Sequence, residues 1–71
     1  PEADMHNAIQ NILIDLMGLH INDTAYWRKL RELKERVSIL TGDVERISAM
    51  PEDIEMRAKL LGMVEDFMEH P

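Results

Sequence analysis

Residues 26–47, YWRKLRELKERVSILTGDVERI, decide the fold. The large apolar residues of this stretch are Tyr26, Leu30, Leu33, Val37, Leu40, Val44 and Ile47, spaced 4, 3, 4, 3, 4 and 3 apart. A 3.5-residue period held for three heptads lays all seven on one stripe of a helix. In heptad terms Leu30, Val37 and Val44 are a positions. Tyr26, Leu33, Leu40 and Ile47 are d positions, so the stripe is a seam suited to another helix. Gly42 falls at f, opposite the seam, where glycine costs about 1 kcal/mol against alanine without a change of phase. The spacing therefore predicts one unbroken helix of roughly 40 Å, running from Asp23 to about Ala49. Asn22-Asp23-Thr24 supplies the start signal; with Asn22 as N-cap, Ile21 and Tyr26 would take the hydrophobic-staple positions.

The flanking segments read as two further helices. In residues 3–17, Met5, Ala8, Ile9, Ile12, Leu13, Leu16 and Met17 form a broad apolar face, and Ile14 is out of phase with it. A left-handed Gly18 in a Schellman cap would bring Ile14 against Leu19; the alternative, a helix running on to His20, would leave Ile14 exposed. Met50-Pro51 stops the central helix, because the residue before proline is pushed out of the α region. Pro51, followed by Glu52 and Asp53, then opens a helix to about Glu69. This last helix carries two apolar seams, Ile54/Ala58/Leu61/Met68 and Met56/Leu60/Met63/Phe67, with Val64 between them. The seam centres are roughly 150° apart at 100° per residue, more than a plain three-helix bundle covers.

The expectation is an all-α fold in a single domain, residues 1–71: a three-helix up-down-up bundle with a long central helix. Seventy-one residues give a marginal core, and there is no cysteine to staple it. A homodimer follows as the expected form, with Met56, Leu60, Met63 and Phe67 as partner-binding residues and Trp27 as an anchor. Six methionines in so short a chain suit an adaptable packing surface.

Charge narrows the partners. The net charge is −6, divided as −3 over residues 1–22, +1 over 23–50 and −4 over 51–71. Such a balance disfavours nucleic acid and anionic membrane. Arg28, Lys29, Arg31, Lys34 and Arg36, beside Tyr26 and Trp27, form the one basic stripe. Glu32 and Glu35 interrupt it, and Lys29, Lys34 and Arg36 flank the seam at g and e, where they would pair with the acidic neighbouring helices. A nucleic-acid-associated regulator using this stripe is the alternative reading.

Catalytic chemistry has little to work with. Ser38, Ser48, Thr24 and Thr41 lie in no nucleophile or phosphate-loop motif and read as solvated hydroxyls. No histidine has Glu three residues before it, as in di-iron bundles, and Asp66–His70 reads as an ion pair near a helix C-terminus. No enzyme activity, cofactor or metal is expected. Without cysteine, signal peptide or membrane span, the expected setting is the cytoplasm. The expected function is a small acidic protein–protein interaction module, a regulator, adaptor or assembly subunit acting by helix packing.

Overall fold

The computed structural model describes residues 2–69. Those residues form four helices: α1 Glu2–Met17, α2 Thr24–Thr41, α3 Val44–Ser48 and α4 Ile54–Glu69. α2 is the hub, and each of the other three packs against it. Its stripe of Tyr26, Leu30, Leu33 and Val37 is buried, as the heptad period requires. Against it lie Ile9, Ile12 and Leu16 of α1, Ile47 of α3, Met50, and Met56, Leu60 and Val64 of α4. The all-helical class and the central role of α2 follow directly from the sequence pattern.

The single long helix does not form. Gly42 takes the left-handed conformation, with φ 73° and ψ 5°, and ends α2. Its N–H donates to the Ser38 carbonyl at 3.0 Å. Thr41 braces the turn: its hydroxyl donates to the Val37 carbonyl (2.9 Å) and accepts the Asp43 N–H (3.3 Å). The reason for the break is coverage. α1 and α4 have 16 residues each, about 24 Å of helix, so a 40 Å spine would overhang both. Turning at Gly42 folds Ile47 back until it is fully buried, and Met50 joins the same core. Burying two such side chains stabilises by roughly 1.5–3 kcal/mol each, more than one turn costs. Val44, assigned to the seam by its spacing, is instead 55% exposed. Ser38, expected in solvent, is buried.

The helix ends differ from expectation in instructive ways. Asp23, not Asn22, is the N-cap of α2, without a side-chain cap bond. Its carboxylate accepts the His20 N–H at 3.2 Å and so stabilises the preceding turn. α1 ends before Gly18 without a Schellman cap. Gly18 and Leu19 donate to the carbonyls of Asp15 and Leu16, both at 3.1 Å, the short-range pattern of a tightened last turn. Ile14 accordingly stays exposed. α4 begins at Ile54 rather than Pro51. The Asp53 carboxylate accepts the N–H groups of Glu55 (2.9 Å) and Met56 (3.2 Å), which makes Asp53 the cap. The Asp66–His70 pairing falls outside the described residues.

Candidate interaction surface

α4 has two apolar seams, and the fold buries the one expected to meet a partner. Met56 and Leu60 are fully enclosed by the chain's own core, with Val64 beside them. Met63 and Phe67 are half-buried and pack against that core; with Thr41 and Asp66 they line a shallow hollow. Met56 and Leu60 are thus core residues of the single chain, not residues on offer to a partner. Polar contacts tie the start of α4 to α2. Arg31 binds the Glu52 carboxylate through two nitrogens at 3.0 and 2.9 Å, and Arg57 Nε donates to the Tyr26 hydroxyl. These contacts accompany the rotation of α4 on α2 that buries Met56, Leu60 and Val64.

The seam expected inside is only partly covered. Ile54 is 64% exposed and Ala58 is exposed, while Leu61 and Met68 are half-buried and pack against the edge of the core. At 100° per residue, Ile54, Arg57, Leu61, Glu65 and Met68 share an arc of roughly 80° on this outer face. Across a cleft of about 470 Å³ stands the end of α1 and the turn after it. Leu13, Leu16, Leu19, Tyr26 and Leu61 line the cleft, with Met17 and Ile21 also in its wall. Met17, expected in the core, is 87% exposed, and Ile21 is exposed too. Trp27 is half-buried; its indole N–H donates to the Ile21 carbonyl at 2.7 Å, and its ring meets Tyr26 edge-on at 5.7 Å between centroids. The tryptophan holds the α1–α2 turn onto α2.

The basic stripe is largely spoken for within the chain. Besides the Arg31–Glu52 pair, Lys29 lies 3.3 Å from Asp15 and 3.4 Å from Glu32. The bond to Asp15, then the Glu32 charge, raises the Lys29 pKa above the ordinary lysine value. Lys34 donates to the carbonyls of Ser48 (3.2 Å) and Met50 (2.9 Å). A cation at the end of α3 satisfies carbonyls the helix leaves open. Arg28 and Arg36 are exposed.

A larger hollow of about 700 Å³ lies between α3 and α4, and Arg46, Lys59, Glu65, Asp66 and Glu69 are among the residues that line it. Among the described residues, no three His, Asp or Glu side chains converge to hold a metal ion. No helix among the described residues is long and apolar enough to cross a membrane. Comparison with known proteins adds no relative: no family matches the chain, and no curated protein or solved structure matches it either.

The outer face of α4 was legible in composition but not in orientation. Ile54, Ala58, Leu61 and Met68 were visible as a seam, but which seam of α4 meets α2 is decided by tertiary packing that spacing does not encode. Met17 and Ile21 gave less warning. Met17 shares the apolar arc of α1, and its exposure follows from where α1 stops.

Proposed function

We propose that this chain is a protein–protein interaction module that pairs with a second copy of itself through the outer face of α4. The observation that carries the reading is the symmetry of that face about Leu61. Ile54 and Met68 lie seven residues to either side, and Arg57 and Glu65 lie four to either side. An antiparallel pairing of two α4 helices centred on Leu61 sets Ile54 against Met68, Arg57 against Glu65, and Leu61 against Leu61. Self-complementarity of this kind is what a two-fold interface requires. The Tyr26 hydroxyl engages Arg57 through Nε, leaving the two terminal nitrogens for a carboxylate. Met17 and Ile21 extend the apolar surface across the cleft.

In this reading α1, α2 and α4 run up-down-up, and the homodimer acts as a regulator, adaptor or assembly subunit in the cytoplasm rather than as an enzyme. The residues that meet the partner are Ile54, Leu61, Met68 and Met17. Met63, Phe67 and Trp27 border the core and contribute their uncovered edges. Nucleic acid is the weaker alternative, because Arg31, Lys29 and Lys34 already have partners within the chain. The test is sedimentation equilibrium at micromolar concentration. Wild type should be a dimer, and Ile54→Glu with Met17→Glu, both on exposed side chains, should give a folded monomer. A monomeric wild type would overturn the reading.

A further inference from the structure

The turn at Gly42 interrupts a seam whose phase it leaves intact. Leu40, Val44 and Ile47 continue the 4–3 spacing of Tyr26, Leu30, Leu33 and Val37 across the break. Only Gly42 and Asp43 separate α2 from α3. Gly42 is the one residue with positive φ among the described residues, and Asp43 caps α3 without a side-chain hydrogen bond. Were both residues to turn helical, α2 and α3 would fuse into one helix from Thr24 to Ser48, about 37 Å long. The fused helix would satisfy its own backbone through the junction. It would also carry α3 and α4 off the α2 they now cover.

We propose that the Gly42–Asp43 turn is a hinge for exchange, and that a second copy of this chain is the partner that accepts the exchanged α3–α4 segment. This goes beyond face-to-face pairing, since the surface used is the core itself. In the exchanged dimer α3 and α4 of each copy pack on α2 of the other. The contacts Arg31–Glu52, Lys34 to the Ser48 and Met50 carbonyls, and Arg57–Tyr26 are all remade between copies. The gain over the closed chain is at the junction. Val44 and Ile39 are exposed beside the turn and Leu40 is half-buried; together with Ile47 and Ser38, Val44 and Ile39 line an open hollow between α2 and α3. Two fused helices crossing antiparallel at this point set Leu40 and Val44 of one copy against those of the other, completing the heptad seam. Short hinges whose straightened form continues a packed element are where exchange arises at little cost. Adding a Cβ at Gly42 meets nothing within 4 Å, so a larger residue there acts only through the left-handed φ. It disfavours the turn and leaves the fused helix unpenalised.

The chain has no cysteine, which makes cross-linking clean. One copy carries Arg31→Cys and a second carries Glu52→Cys, both with Ile54→Glu to suppress α4 pairing. The two are mixed, unfolded, refolded together at high concentration and treated with a short bis-maleimide. Cross-links joining two chains are expected. Gly42→Ala should raise the dimerisation constant roughly a hundredfold, because two turns are opened per dimer, while Gly42→Asn, which tolerates the left-handed turn, should stay near wild type. Circular dichroism confirms that each variant is helical. Helical Gly42→Ala protein that remains monomeric, or that dimerises without joining the two labelled chains, would overturn the proposal. If dimers form only when residue 54 is isoleucine and never join the labelled chains, exchange fails while face-to-face pairing stands. Interchain links between the labelled chains, from a protein whose wild type sediments as a monomer under native conditions, would leave exchange standing and face-to-face pairing refuted.

Discussion

Gly42 is where sequence reasoning and structure part, and the parting has an energetic cause. On a helix surface, glycine is a small penalty that alanine relieves, and Gly42→Ala should then stabilise. In the left-handed turn the sign reverses, because a side chain there costs about 1–2 kcal/mol. Gly42→Ala should lower the stability of the closed monomer by that amount in urea unfolding at low protein concentration, and Gly42→Asn should cost less. Asp53 makes a second residue-scale prediction. Its carboxylate caps two N–H groups of α4, so Asp53→Ala should cost about 1 kcal/mol, whereas Asn22→Ala, on a residue that does not cap α2, should cost little. Lys29 gives the pH dependence. Its partners raise the pKa of the folded state above the ordinary 10.5. The folded chain therefore holds that proton more tightly than the unfolded one, and the contribution is complete below the ordinary value. It is lost as pH rises through the raised one. Lys29→Met should flatten this part of the alkaline decline in melting temperature, and an unchanged slope would deny the Asp15 and Glu32 contacts a role.

At the scale of elements, hydrophobic period determined more than local signals did. The buried stripe of α2 and the existence of helices on either side were readable from spacing alone. What spacing could not weigh was length. Whether Ile47 extends a long helix or folds back depends on how far α1 and α4 reach, a property of the whole bundle. The same holds for α4, whose two seams are similar in apolar content. Arg31 and Glu52 stand 21 residues apart, and Arg57 and Tyr26 stand 31 apart. Contacts at such separations accompany the rotation of α4 and leave no periodic trace. α3, five residues long, depends on Lys34 for its open carbonyls. Lys34→Met keeps the aliphatic stem but removes the ammonium; it should destabilise by about 1–2 kcal/mol and speed amide exchange in α3 before α1. Uniform exchange across both helices would show that α3 is held by Ile47 alone.

For the whole molecule, the core is small and its polar contacts are mostly at the rim, so the proposed self-association would be linked to stability. A dimer that buries Ile54, Leu61 and Met68 should melt at a temperature that rises with protein concentration. Electrostatics supplies a sharper check of the pairing geometry. Arg57→Glu should weaken the dimer by placing like charges opposite Glu65, and adding Glu65→Arg should restore it, since both pairs then carry opposite charges again. Arg57→Glu also removes the bond to Tyr26, so the restoration, rather than the loss, carries the inference.

Sedimentation equilibrium of the wild-type chain beside Ile54→Glu/Met17→Glu tests the central claim most directly. Self-association through the outer face of α4 predicts a wild-type mass twice that of the chain at micromolar concentration, and a single-chain mass with unchanged helicity for the double variant. A wild-type chain that sediments as a monomer throughout that range, or a double variant that remains dimeric without exchange of α3–α4, would contradict it.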